Sequence, residues 1–302
     1  MSAKISFKQL QALEAVARLG SFTLAAKELG VSQPTVSNLV YSLEQQYQCR
    51  LLDRTGTTIS PTAALDEVRA DIRALIALGN SIASQLSSGQ DLLTGKFQIG
   101  YSTYQIAMPP IAEFVRAHPG VDVTARALAS HDLLPLLYAG DFDVGFVTAK
   151  ELPPDLEGIK IAETRIGLVV PDAHPLAKAG TAAWEDAANL KLIQREPSSS
   201  TRQIFEAAAR LAQTSLTTIL GLGSWGSIRT LVKSGAGIGV AFAQECQDEP
   251  GVSFVPIKDN NLTAHHCLAC LPAMRGTAAV DRFFRIADGL RDCDALLSSA
   301  KP

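Results

Sequence analysis

Three stretches of this 302-residue chain gather hydroxyl side chains at points where a strand-like run gives way to a helical one: Ser102-Thr103, Ser198-Ser-Ser-Thr201-Arg202 and Ser224-Trp225-Gly226-Ser227. The first turn of a helix leaves backbone N–H groups unpaired at a positive dipole end, so hydroxyls placed there can hold an anion. The competing use is capping of their own helix. A run that offers Ser198, Ser200, Thr201 and Arg202 together exceeds the need of one cap. Two such junctions, one from each half of an α/β body, can meet only across a cleft. The expected ligand is therefore a small carboxylate, phosphate or phosphonate, held by Ser102, Thr103, Ser198, Ser200, Thr201 and Arg202. Thr148, at the end of its strand, and Trp225, with an apolar face for a short carbon chain, complete the walls. For Arg202 two uses stay open: a direct contact with the anion, or an ion pair with Glu206 one turn on.

A second set of polar residues sits near the N-terminus. Ser6, Ser21 and Ser32 read as N-caps of three short helices, Gly20 and Gly30 as left-handed stops, and Pro34 as a first-turn proline. Helices two and three are separated by a short glycine-containing turn, the helix-turn-helix arrangement. The third helix buries Val36, Leu39, Val40 and Leu43. Its other face carries Gln33, Thr35, Ser37, Asn38 and Tyr41, hydrogen-bonding groups of the size that reaches base edges in a major groove. The same pattern is also that of a solvated face on a plain three-helix bundle. Charge favours a nucleic-acid face. Lys4, Lys8, Arg18, Lys27, Arg50 and Arg54 against Glu14, Glu28, Glu44 and Asp53 leave the first 65 residues at +2, whereas the whole chain carries −3.

These elements must be positioned by the rest of the chain. Thr62 opens a long helix in which Leu65, Val68, Ile72, Leu75, Gly79, Ile82 and Leu86 alternate at spacings of three and four. That is a heptad seam suited either to a second helix or to packing on the chain's own body. Gly79 on it marks a weak point or a close approach, and 87–90 reads as a hinge. Beyond it strands and helices alternate, the α/β pattern. A helix is expected from Ile106 to His118, and Ser130 is expected to cap another. The expected organisation is a helix-turn-helix head at 1–63, a linker helix at 64–90 and an α/β body at 91–302.

Other classes fall away. A charged fraction of 19 % and a hydrophobic fraction of 47 % are globular values. No run approaches the length of a membrane span, and the start of the chain has no secretory pattern, which together predict a cytoplasmic protein. Five cysteines do not make a disulfide framework. His265-His266-Cys267 and Cys270 suggest zinc, but residues i and i+3 of a strand point to opposite faces, and no second ligand pair is present. GxSxG, Walker A, HExxH and kinase motifs are missing, and the Gly235-Ala-Gly-Ile-Gly run precedes a strand rather than a helix. No catalytic residue, metal or cofactor is therefore expected.

The run Gly20-Ser-Phe-Thr-Leu-Ala-Ala-Lys-Glu-Leu-Gly-Val-Ser-Gln-Pro-Thr-Val-Ser-Asn38, with Leu43-Glu44 and Leu51-Leu52-Asp53-Arg54, resembles the N-terminal domain of LysR-type transcriptional regulators. Asp143-Val-Gly-Phe-Val-Thr148, Leu168-Val-Val-Pro171 and Leu231-Val-Lys-Ser-Gly-Ala-Gly-Ile-Gly-Val240 resemble that family's effector domain, which is itself similar to type-2 periplasmic binding proteins. The resemblance implies a winged helix-turn-helix whose third helix enters the major groove, with Ser32, Gln33, Pro34, Thr35, Ser37, Asn38, Tyr41 and Arg54 at the DNA. It also implies a homodimer that pairs into a homotetramer on a pseudo-palindromic double-stranded site, with RNA polymerase as a further partner. The same resemblance implies DNA binding for the head, dimerisation for the linker and effector binding for the body, with lobe one at 91–164 and 267–302 and lobe two at 165–266. The wing, Thr55 to Ser60, carries no charge, so a shallow salt dependence is expected. Arg195-Glu196-Pro197 with Thr201-Arg202 resembles branches that answer to phosphorylated metabolites or to 2-aminoethylphosphonate. The alternative is a solute-binding protein with no DNA-regulatory role, against which residues 1–65 stand.

Overall fold

The computed structural model of the protein describes residues 5–55, 58–87, 95–247 and 249–298. The head opens with α1 (Phe7–Leu19), set by a capping box: Ser6 Oγ accepts from Gln9 N at 3.2 Å while the Gln9 side chain accepts from Ser6 N at 2.9 Å. Gly20, at φ 63°, stops it in the left-handed region that a side chain disfavours. Next come α2 (Phe22–Leu29) and α3 (Gln33–Tyr47), capped by Ser21 and Ser32 as the sequence predicts. Leu10, Leu13, Val16, Ala25, Ala26, Val36, Val40 and Leu43 form the buried core between them. The short strands β1 (Leu52–Asp53) and β2 (Ser60–Pro61) pair antiparallel as the base of a wing. Residues 56 and 57, within the expected uncharged wing, lie outside the described residues.

Helix α4 (Ala63–Ser87) corrects the seam reading. Leu65 is fully buried in the head core, and Ile72 packs on that core with Ile76. At Gly79 a Cβ would come within 2.6 Å of the Phe7 ring, so this glycine marks a close approach between α4 and α1. Phe7 packs there rather than in the three-helix core and is 37 % exposed. Val68, Leu75, Leu78 and Ile82 are instead exposed, at 43 to 50 %. The apolar face of α4 is broad enough for two neighbours. One heptad set (65, 72, 79) faces the head, and the other (68, 75, 82) is left to solvent. The side chain of Leu86 and the expected hinge at 88–90 fall outside the described residues.

The body follows as β3 (Gly95–Tyr101), α5 (Tyr104–Ala117), β4 (Val121–Ala127), α6 (Ser130–Tyr138), β5 (Val144–Ala149), β6 (Glu157–Pro171), α7 (Pro175–Ala179), α8 (Trp184–Ala188), β7 (Lys191–Arg195), α9 (Ser200–Leu211), β8 (Thr217–Leu222), α10 (Trp225–Lys233), β9 (Ile238–Phe242), β10 (Val252–Pro256), β11 (Thr263–Cys270), α11 (Pro272–Arg275) and α12 (Ala278–Ser298). The strand order is β4-β3-β5-β11-β6-β9-β7-β8, with β10 on β6. Two lobes share this path because β6 is 15 residues long. Residues 157–165 of β6 pair with β11, and 166–171 with β9 and β10. Lobe one is cored by Phe97, Phe114, Phe146 and Phe283, and lobe two by Leu168, Leu192, Phe205 and Val240. His265 and His266 already pair with Ala149 and Thr148 of β5, so the return to lobe one comes two residues before the expected 266/267 boundary. Helix α5 starts at Tyr104 rather than Ile106. Ser130 does not cap α6; its Oγ accepts from Thr148 N at 3.0 Å. Among the described residues no helix is long and apolar enough to cross a membrane.

Candidate functional site

In the head, Ser32, Gln33, Pro34, Thr35, Asn38 and Tyr41 are exposed and Ser37 is half-buried. Two of the hydroxyls are already engaged. Ser32 Oγ accepts from Thr35 N at 3.3 Å and lies 2.8 Å from Thr35 Oγ1. Among the described residues no hydrogen bond holds the side chains of Gln33, Ser37 or Asn38, so these are available at the start of α3. Arg54 is held within the head. Its guanidinium lies 2.9 Å from Glu44 Oε2 and over the Phe22 ring, 5.3 Å from its centroid. The other Glu44 oxygen accepts from Leu51 N and Leu52 N at 2.9 and 3.2 Å. Glu44 therefore ties α3 to the wing base, and Arg54 braces that tie with a side chain that stays 46 % exposed.

The body brings two helix starts together. Strand β3 leads through Ser102 and Thr103 into α5; β7 leads into the serine run and α9. Around one small space lie Ser102, Thr103, Thr148, Ser200 and Thr201, all singled out by the sequence, together with Ser130, Arg195, Ser199 and Phe242. Thr103 and Ser199 are the N-caps of α5 and α9, are buried, and neither side chain caps its helix. The space measures about 10 Å³, room for a single water. The lobes are closed on each other, and a metabolite enters only if they part.

Three expected residues are placed elsewhere. Arg202 takes the second of its two uses: Nε lies 2.8 Å from Glu206 Oε1 and a terminal nitrogen 3.3 Å from Arg195 O. An i,i+4 partner holds the side chain along its own helix. Trp225 is buried among Val169, Ile193, Ile228 and Val232 in lobe two, not on the cleft wall. Ser198 is half-buried and does not line the space. Ser224, at the third junction, is a plain cap, with Oγ accepting from Ser227 N at 3.3 Å.

Sequence reasoning assigned no site role to Arg195, Ser199, Ser130 or His266. Arg195 closes β7 three residues before the serines, and its signals were that position and the Arg195-Glu196-Pro197 resemblance. Its guanidinium makes two 2.9 Å bonds to Glu196. Burial works to raise the Glu196 pKa, yet Arg195 holds it below the usual glutamate value. His266 is 1 % exposed, with Nδ1 2.8 Å from Thr148 Oγ1. Burial lowers its pKa to about 4, so it is neutral near pH 7. Cys267 and Cys270 are buried on β11, and burial pushes both thiols up, away from the reactive thiolate form.

A larger space of about 350 Å³ lies between α1, α2, α4 and lobe one. Its glutamates are paired, Glu28 with Arg18 and, at 2.6 Å, with Lys96, and Glu14 with Arg69 at 3.1 Å and Arg73 at 3.8 Å, while Asp143 accepts from Gln98 N at 2.7 Å. Asp141, at the end of the turn after α6, also pairs with Arg69 and Arg73. This space is a head–body seam, whereas the cleft has uncommitted donors.

The chain belongs to the LysR family of bacterial regulatory helix-turn-helix proteins: residues 7–64 match its helix-turn-helix and residues 90–290 the LysR substrate binding domain. It is 28 % identical over 298 residues to an uncharacterised HTH-type transcriptional regulator of Methanocaldococcus jannaschii, covering 94 % of this chain and 98 % of that one. It is 30 % identical over 239 residues to a probable RuBisCO transcriptional regulator of Synechocystis, covering 76 % and 69 %. Full-length OxyR from Pseudomonas aeruginosa shares the fold, with a TM-score of 0.77 at 18 % identity over 95 % of this chain and 98 % of that one. The protein is a LysR-type transcriptional regulator with an effector-binding domain; its relatives are named as regulators, not enzymes.

Proposed function

We propose that this regulator binds a small anionic metabolite between its lobes and reads a pseudo-palindromic promoter site as a homodimer or a pair of dimers. The observation that carries the anion is the pair of uncapped helix starts. Thr103 and Ser199 leave the first-turn N–H groups of α5 and α9 without a side-chain acceptor, at two positive helix ends facing one space. Arg195 adds a fork suited to carboxylate, phosphate or phosphonate oxygens once Glu196 shares it. Entry of the anion parts the lobes, so the ligand favours one lobe arrangement and biases the regulator through it. Gln33, Ser37 and Asn38 meet the bases, while Glu44 and Arg54 hold the wing.

The exposed set on α4 supports the dimer. Leu75→Asp with Ile82→Asp puts charge into a helix–helix contact, and light scattering should show loss of the dimer mass while the body stays folded. For the anion, the full chain is heated with inorganic phosphate, sulfate and short carboxylates. Binding to the native state raises the melting temperature by mass action, and Thr201→Ala should remove the rise. A rise with cationic ligands alone, or one that survives the substitution, contradicts the assignment.

A further inference from the structure

The floor of the cleft is a chain of three side chains. His266 Nδ1 lies 2.8 Å from Thr148 Oγ1, Thr148 Oγ1 lies 3.3 Å from Ser102 Oγ, and Ser102 Oγ lies 3.2 Å from Phe146 O. Each hydroxyl has one proton, so one proton arrangement makes all three contacts, and the alternative gives up the bond to the Phe146 carbonyl. In the first, His266 Nδ1–H donates to Thr148, Thr148 donates to Ser102, and Ser102 donates to the Phe146 carbonyl. In the second, Ser102 donates to Thr148, Thr148 donates to a bare Nδ1, and the proton of the neutral ring sits on Nε2.

The two differ at Nε2, which is buried and has no hydrogen-bond partner among the described residues. The nearest ring is that of Phe242, 5.0 Å away and edge to face. The second arrangement strands an N–H donor there. The first leaves only a lone pair, and it also gives the Phe146 carbonyl the Ser102 proton in addition to the backbone bond from Ser102 N at 3.0 Å. Orphaned buried N–H groups are the rarer defect in folded proteins. Because burial keeps the ring neutral near pH 7, the choice is between tautomers and not between charges.

We infer that His266 is held as the Nδ1–H tautomer and sets the hydrogen-bond polarity of the cleft, making Thr148 a donor toward the ligand. With one lone pair taken by His266 and its proton spent only on Ser102 Oγ at 3.3 Å, the Thr148 hydroxyl turns that proton to an incoming oxygen. Ser102 does the same when it releases the Phe146 carbonyl, which keeps its backbone donor. The floor then presents two O–H donors and favours fully ionised oxygens over ligand N–H or protonated acid groups. With the other tautomer, Thr148 would offer lone pairs and select for donors. His266 is thus a specificity-determining residue acting through Thr148. Its position on β11 serves this role: the register places it opposite Thr148, beside a bulge between His266 and Cys267 where the lobes join.

This inference rests on the anion reading, but its first test does not. Two-bond proton–nitrogen correlation spectra of the full chain labelled on histidine nitrogens should show a protonated Nδ1 and a bare Nε2 for His266, assigned by its loss in His266→Asn. A protonated Nε2 overturns the inference and leaves the anion reading intact. The second test measures phosphate binding. His266→Asn, whose amide N–H reaches the Nδ1 position, should keep parental affinity within about threefold, and His266→Leu should lose about tenfold, the worth of one hydrogen bond. Equal affinity in both variants, with both folded by circular dichroism, overturns the role assigned to His266. No phosphate binding in the parent contradicts the anion reading, while the nitrogen shifts still decide the tautomer.

Discussion

The head and the interlobe cleft are built from the same local device, a serine or threonine in front of a helix, and they use it in opposite ways. In the head, Ser6, Ser21 and Ser32 accept from their own helices at 3.2, 3.3 and 3.3 Å. Their hydroxyls are committed to folding, and the DNA-facing residues are the ones that follow. In the cleft, Thr103 and Ser199 occupy the same N-cap position and cap nothing. A helix start that leaves its cap unmade gives up local stability and keeps its N–H groups for something else. Charges follow the same division. Glu14, Glu28 and Glu44 of the head are all committed to arginine or lysine partners, whereas the cleft retains free hydroxyl donors beside one ion pair.

If that division holds, disturbing the head's internal bonds should affect folding, and disturbing those of the cleft should affect ligand response. The largest effect is expected at Glu14. Arg69 is 6 % exposed, and Glu14→Ala would leave it and Arg73 sharing Asp141 as their ion-pair partner among the described residues. Stripping one partner from a buried pair costs about 3 kcal/mol, so urea unfolding should show a midpoint shift larger than for any single cleft substitution.

Next in size are the residues proposed to meet the bases. Gln33→Ala with Ser37→Ala should weaken promoter binding by about 1–3 kcal/mol for each base or phosphate that the parent side chain holds. Head stability should be unchanged, because neither side chain holds anything within the head. Unchanged gel-shift affinity would remove these residues from the interface.

The caps give the matched pair. Ser21→Ala should lower stability by about 1 kcal/mol, and Ser199→Ala by no more than a few tenths, while only the second blunts the response to phosphate. Equal losses in the two variants would erase the distinction between them.

Which use a cap takes was not legible in the sequence. The caps of the head, the stops at Gly20 and Gly30 and five of the lining residues could be read from residue types and spacing, and the two lobes from the family resemblance. Ser224 and Thr103 look alike as letters. One caps and the other does not, because β5, α9 and the second lobe surround Thr103 and only tertiary packing fixes that. Arg202 and Arg195 were not told apart for a related reason: the sequence left both uses of Arg202 open and gave Arg195 no site role. Glu206 stands at i+4 and captures Arg202 locally, while the alternation of β7 turns Arg195 to the cleft. The seam of α4 misled because a 3-4 spacing marks an apolar face without saying how many neighbours share it.

The smallest effect sharpens the charge comparison. Burial works to raise the Glu28 pKa, but Arg18 and Lys96 hold it below 4.5. A carboxylate depressed in the folded state contributes stability above its unfolded value, and that contribution is lost as the pH falls through the folded one. Melting temperature should therefore drop on acidification below about pH 4.5, and Glu28→Gln should flatten part of that drop. Glu196 carries the same sign through Arg195, so Glu196→Gln should flatten another part.

The most direct measurement is a crystal grown with selenate, whose anomalous signal locates the anion without ambiguity. The account predicts a peak between the N–H groups of residues 104–106 and 200–202, with the lobes further apart than in the closed form. Selenate at the capped starts of α1, α2 or α10, with none in the cleft, would contradict it.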